Sequence, residues 1–307
     1  MDAILIVHGG AGPRRAGDDA RSDTELRREL ERAIAAGWQH VDGDAEAACV
    51  AAVCVLEDSP LFNAGTGSAL AADGGVWCDA TLMGGDGRAG AVAAVAGIRH
   101  PILAAQALAH ADRGPLLWAG HSAQLAALHD LELRDRERMV TERQRRRLAA
   151  HRSCPGEQQA GGTVGAVCLD AAGRLAAATS TGGFCGKSPA RVGDSAIFGA
   201  GTWAHRDTCA VSASGAGEPF LRVLFAHEIH ARMRYGSDDL TAAAGAALAA
   251  VGAAGGLGGA ICVDAQGAIA MPVSSDVMYR AWRRAGQPTY TALGDSEAGS
   301  AACTPLG

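Results

Sequence analysis

Apolar positions along this chain fall into unbroken short runs and helix-spaced stripes, separated by glycine-rich turns. Ile4 to Val7 reads as a buried strand that ends in the turn His8-Gly9-Gly10-Ala11-Gly12. Leu26, Leu30 and Ile34 recur at helical spacing, with Ser22 and Glu25 as a capping box before them and Gly37 as the stop. Asp44 caps a second helix, Ala45 to Glu57, apolar on most sides and closed by Pro60. Strands follow at Gly75 to Met83 and Gly90 to Ile98, then helices from Pro101 to Ala109 and from Ser122 to Leu131. Thr163 to Leu169 and Arg174 to Thr179, joined by Asp170-Ala171-Ala172-Gly173, predict a hairpin. Gly258 to Val263 and Ala268 to Pro272 predict a second, and a helix from Pro219 to about Tyr235 lies between the two. Strands paired by hairpins, with helices in runs, indicate an α+β fold and argue against a parallel βαβ sheet.

The pattern breaks from about residue 132 to 162, where Arg and Glu crowd together and the chain reads as an exposed, mobile linker. This basic cluster is diluted by Asp135, Glu137 and Glu142, and the whole chain of 307 residues carries a net charge of −6. No nucleic-acid partner is expected from such a balance. The longest charge-free stretch, Thr241 to Val263, is mostly Ala and Gly and reads as a packed helix, a turn and a strand, so no membrane partner is expected either. Nine cysteines without a CxxC pair, and a start that lacks a basic leader, predict reduced thiols and a cytoplasmic protein. Lys187 is the only lysine and Asn63 the only asparagine.

Several catalytic signatures fail. No G-x-S-x-G elbow exists, and the glycine pairs Gly65/Gly67 and Gly199/Gly201 lack the rest of a nucleotide loop. His227-Glu228-Ile229-His230 is one residue short of H-E-x-x-H, so these histidines read as core or surface. What remains is a dense set after the basic segment: Gly161-Gly162-Thr163-Val164-Gly165-Ala166-Val167, then Thr179-Ser180-Thr181-Gly182-Gly183, Arg191-Val192-Gly193-Asp194-Ser195, and Ser212 to Glu218. Together with His8 to Gly12 and Leu61-Phe62-Asn63-Ala64-Gly65, these blocks resemble the plant-type asparaginase and isoaspartyl peptidase family of N-terminal-nucleophile hydrolases.

The resemblance implies a four-layer αββα sandwich formed by one domain, 1–307, that cleaves itself between Gly162 and Thr163. The pieces are 1–162 and 163–307. Freed, Thr163 carries its own base, because an α-amine has a pKa of about 7.7–8.0 and is substantially neutral near pH 7. Glycine at 162 is expected to permit an approach that a Cβ would obstruct. By the same resemblance Thr181 orients Thr163, and Asn63 supports the site. Ser214 and Gly215 form the oxyanion hole, while Arg191, Asp194 and Gly217 hold the α-groups of the substrate. Carbonyls of Leu56, Glu57, Ser59, Phe62, Ala64 and Thr66 would ligate a structural sodium ion; no cofactor is expected to take part in catalysis. The implied substrates are small molecules, β-aspartyl dipeptides and, more weakly, L-asparagine, acted on by a homodimer of αβ units. A dedicated L-asparaginase, a glycosylasparaginase-like amidase, and a non-processing binding or scaffold protein are the alternatives.

Overall fold

The computed structural model describes residues 1–13, 23–153 and 162–294. In chain order the first half forms β1 (Ile4–Gly12), α1 (Asp23–Trp38), α2 (Ala45–Asp58), β2 (Cys78–Gly84), β3 (Ala89–Val95), α3 (Pro101–Ala109), β4 (Leu117–Ala119), α4 (Ser122–His129), α5 (Arg136–Met139) and α6 (Glu142–Ser153). The second half forms β5 (Val164–Leu169), β6 (Leu175–Thr181), β7 (Thr202–Ala204), β8 (Cys209–Gly215), α7 (Gly217–Val223), α8 (Phe225–Tyr235) and α9 (Leu240–Ala253). Strands β9 (Gly258–Asp264), β10 (Ile269–Ala270), β11 (Val277–Arg284) and β12 (Tyr290–Gly294) complete it. Two sheets result, one ordered β12-β11-β1-β5-β6-β2-β3-β4 and the other β10-β9-β8-β7.

The unbroken apolar runs are explained by burial on both faces, since side chains alternate along a strand. Leu5, Val7, Val164, Ala166 and Cys168 face a core shared with α1, α2 and α3. Their neighbours Ile4, Ile6, Val167 and Leu169 face the second sheet, meeting Ala210, Ile261 and Val263. A third core joins Cys209, Val211 and Ala213 of β8 to α8 and α9. Toward one end, positions of the same parity as the inter-sheet residues become polar: His8 on β1, Thr163 before β5, Thr179 and Thr181 on β6, Thr202 on β7, Ser212 and Ser214 on β8. Period-two alternation therefore gathers six hydroxyls and one imidazole between the sheets.

Both expected hairpins form, β5 with β6 and β9 with β10. Asp44 caps α2 by accepting from the Ala47 N–H at 2.9 Å, and Pro101 opens α3. The Ser22 cap lies outside the described residues. The single helix expected from Pro219 is two helices, broken at Leu224, whose φ is +48°. Past that break the N–H groups of Ala226 and His227 turn to the Ala200 and Gly199 carbonyls.

From residue 132 to Ser153 the expected linker is largely exposed and includes two helices. Helices α5 and α6 bury Met139, Gln144 and Leu148. Arginines there donate to fixed acceptors: Arg134 to the Thr66 hydroxyl, Arg136 to the Gly74 carbonyl, and Arg143 to the Pro60 and Leu61 carbonyls. The high charge conceals a structural strap over the 56–75 loop. Among the described residues no helix is long and apolar enough to cross a membrane, and the seven cysteines described are not in disulfides.

Candidate active site

Antiparallel pairing of Val164 with Ser180 sets Thr163 across from Thr181 at the polar end of the inter-sheet space. Thr163 is buried, and the bond that precedes it is held at both ends. The Gly162 carbonyl accepts from Asn63 Nδ2 at 2.5 Å and from the Thr181 hydroxyl at 3.0 Å. Asn63 is itself fixed: its Nδ2 donates to the Gly183 carbonyl at 2.6 Å, and its Oδ1 accepts from the Ala69 N–H at 2.6 Å. Thr181 Oγ1 accepts from the Gly183 N–H at 2.9 Å, which commits its proton to Gly162. Two donors converging on one carbonyl is the arrangement that stabilises an oxyanion when that carbonyl is attacked.

On the amide side, Thr163 N–H donates to Ser214 Oγ at 3.1 Å and Ala11 N–H donates to the same oxygen at 2.9 Å. Both acceptor positions of this hydroxyl are filled, so its own proton is the group left to donate. Gly215 lines the adjoining cavity with Thr163 and Thr181. The expected steric reason for Gly162 is corrected. A Cβ there would meet nothing among the described residues closer than 3.5 Å, and its φ lies outside the left-handed region. Close approach is instead required of Gly10, at φ +119°, whose Cβ would stand 3.1 Å from Gly162 Cα.

Beneath Thr163 runs a buried chain of hydrogen bonds. His8 Nε2 pairs with Ser212 Oγ at 2.9 Å, Ser212 with Thr179 Oγ1 at 2.8 Å, and Thr202 donates to Thr179 at 2.6 Å. Burial pushes the His8 pKa down to about 3, so the ring is neutral and serves the network as an uncharged partner. Gly165 permits this chain, since a Cβ there would collide with Ser212 Oγ and His8 Nε2. Ser212 and Thr179 had only their i, i+2 spacing from Ser214 and Thr181 to announce them.

The cavity, about 450 Å³, opens from Thr163 toward Arg191 and Asp194. Arg191 Nε donates to Glu218 at 2.9 Å, and its guanidinium stacks 4.7 Å from the Phe184 ring centre. Nη1 and Nη2 lie against Gly193 and Gly217, where a Cβ would come within 2.7 and 2.6 Å. Those two nitrogens thus form a fork beside the cavity, the geometry that suits a carboxylate. Asp194 is fully buried, which pushes its pKa up to about 7 even though the Arg191 charge opposes this. Its Oδ2 is buried without a hydrogen-bond partner among the described residues, while Oδ1 lies toward Gly217; ionised, this carboxylate in the cavity wall suits an ammonium group. Asp79 steadies the same loop by accepting from the Gly193 N–H at 3.2 Å. Lys187, the lone lysine, is buried, donates to the Trp77 carbonyl at 2.7 Å and holds the loop floor.

The 56–66 segment is the last turn of α2 followed by a tight loop from Ser59. Carbonyls of Glu57 and Ser59 accept from Thr66 N–H and Phe62 N–H, and those of Pro60 and Phe62 stand within 2.8 Å of the place a Gly67 Cβ would occupy. The Glu57 side chain is buried, which pushes its pKa up to about 8 against the Ser180 hydrogen bond. Far from the cavity, His230 pairs with Thr208 at 2.7 Å, and the described residues contain no metal-binding group of histidines, cysteines and carboxylates.

The profile of the asparaginase family matches residues 1–292. An isoaspartyl peptidase of Salmonella typhimurium is 39% identical, the match covering 95% of this chain and 98% of that protein. An isoaspartyl peptidase of Escherichia coli is 37% identical over 95% of this chain and 96% of its own, and a plant-type L-asparaginase of Pyrobaculum calidifontis is 37% identical over 92% and 97%. With the profile and these relatives spanning nearly the whole sequence, the chain belongs to the asparaginase family.

Proposed function

We propose that this protein is a self-processing threonine hydrolase that cleaves the β-amide of aspartyl units, in β-aspartyl dipeptides and, more weakly, in L-asparagine. The observation that carries the reading is the Gly162 carbonyl held by Asn63 and Thr181 beside a cavity that ends in Arg191 and Asp194. In maturation the Thr163 hydroxyl adds to the Gly162 carbonyl, and the negative charge falls on an oxygen facing those two donors. Collapse expels the Thr163 nitrogen, which takes the hydroxyl proton, and water hydrolyses the resulting ester. The free amine then serves as base for the same hydroxyl.

In turnover, Arg191 takes the substrate α-carboxylate and ionised Asp194 the α-ammonium, with Gly217 leaving room for both. Thr163 attacks the β-carbonyl, whose oxyanion receives the Ser214 proton and the Gly215 N–H. The amine leaves with the proton taken from Thr163, and water releases aspartate. The relatives named isoaspartyl peptidase support the dipeptide as preferred substrate over a dedicated L-asparaginase, a glycosylasparaginase-like amidase or a non-enzymatic scaffold.

The contacts of helices α1 to α3 with the large sheet, and of α8 and α9 with the small one, support the four-layer αββα sandwich. A structural sodium held by backbone carbonyls of the 56–66 segment, with no part in the chemistry, is proposed from the resemblance of that segment to the family's loop. A homodimer of αβ units is proposed as the working form, and a light-scattering mass of one αβ unit would refute it. The reaction is tested by assaying β-Asp-Leu, α-Asp-Leu, L-asparagine and a glycosylated asparagine side by side. Hydrolysis of β-Asp-Leu above asparagine, with α-Asp-Leu untouched, is expected. Preference for asparagine or the glycosylated substrate would overturn the assignment.

A further inference from the structure

The cavity is wider than the groups that hold an aspartyl unit. Beyond Glu218 its wall is made by Pro13, Pro219, Arg222, Ala254 and Leu257. Glu218 and Arg222 are four residues apart on α7, so they share a face, and Arg222 stands about 6 Å farther along the axis. Glu218 is occupied by Arg191. The exposed Arg222 forms no hydrogen bond or ion pair among the described residues; its charge acts on Glu218 only from beyond ion-pair distance, since that carboxylate is bonded to Arg191. Leu257 is 60% exposed, a large apolar side chain left uncovered beside it.

A β-aspartyl dipeptide differs from asparagine on the leaving side of the scissile amide alone. Its leaving amino acid carries a second carboxylate and a side chain. Two extended residues separate its carboxylates by about 7 Å, comparable with the helical turn between the Arg191 anchor at Glu218 and Arg222. Resting on the function proposed above, we propose that Arg222 receives the free carboxylate of the leaving amino acid, while Leu257, Pro219 and Ala254 cover an aliphatic side chain. The ligand class is thus a β-aspartyl dipeptide with a free C-terminus and an apolar second residue. Internal isoaspartyl linkages, which lack that carboxylate, are disfavoured.

The test is the ratio of kcat/KM for β-Asp-Leu to that for β-Asp-leucinamide, which removes the carboxylate and keeps the scissile bond and side chain. An ion pair to this exposed guanidinium predicts a ratio of about two to five in the wild-type protein. Arg222→Ala is expected to bring the ratio close to one, and Arg222→Lys to restore part of it. A wild-type ratio near one overturns the subsite without any variant, and a ratio unchanged in Arg222→Ala assigns the preference to another group. Hydrolysis of neither compound, with or without asparagine turnover, contradicts the underlying reaction and not merely the subsite.

Discussion

Replacing Gly217 by alanine should injure substrate binding while sparing the fold. Gly217 opens α7 with an ordinary φ, so alanine fits the backbone, and helix propensity favours it by up to about 1 kcal/mol. Its new Cβ would lie 2.6 Å from Arg191 Nη2 and 2.9 Å from Asp194 Oδ1. Ordinary contact begins near 3.4 Å, so the guanidinium must retreat by about 0.8 Å. Asp194 has less freedom, because its carbonyl accepts from the Ile197 and Gly201 N–H groups and its side chain is buried. The larger displacement falls on Arg191, which is pulled from Phe184 and from its bond to Glu218, and the Asp194 carboxylate must also give by about 0.5 Å. Loss of one charged hydrogen bond to the substrate costs about 1.5–3 kcal/mol, roughly 10- to 150-fold in KM at about 1.4 kcal/mol per decade. Steady-state kinetics of purified Gly217→Ala on β-Asp-Leu should show that rise with a Tm within a few degrees of the wild type, and with self-cleavage complete. An unaltered KM would refute the placement of the substrate α-groups between Arg191 and Asp194.

Other consequences follow from the same geometry. Asn63→Ala removes one of two donors from the Gly162 carbonyl and should slow self-cleavage by about 10²- to 10³-fold, read as persistence of the full-length band; normal maturation would exclude Asn63 as a stabiliser of the attacked carbonyl. Asp194 must be ionised to hold an ammonium, and its pKa of about 7 means that kcat/KM should climb through pH 6–8, reinforced by deprotonation of the Thr163 amine. A flat profile from pH 5 to 9 would contradict both assignments. The folded state holds the Asp194 proton where an unfolded chain has lost it, so this group subtracts stability as pH rises from about 4 to about 7. If sodium fills the 56–66 loop, Tm should be higher in sodium chloride than in choline chloride at equal ionic strength, and identical values would remove the ion.

The parts of this molecule that could be read from the chain were those in which local pattern and chemistry coincide. The β5–β6 hairpin carries its own turn, and Thr163, Thr181, Arg191 and Asp194 stand in blocks of recognisable chemistry. Residues that support them were hidden because their partners are remote. Glu218 meets Arg191 across 27 positions and Asp79 meets Gly193 across 114. Leu224 gives no outward sign of the left-handed break that splits α7 from α8. Strand β11 ends in Trp282-Arg283-Arg284, a poor apolar alternation, and forms because β1 and β12 flank it. Helix α6 looked like solvent-borne charge since two side chains, Gln144 and Leu148, make its buried stripe.

The most direct test of the account is the intact mass of the purified protein together with the first residues of its smaller fragment. The account predicts two chains, 1–162 and 163–307, the second beginning Thr-Val-Gly-Ala-Val, and a single inactive chain for Thr163→Ala. A preparation that remains one uncut polypeptide yet hydrolyses β-aspartyl dipeptides at full rate would contradict it.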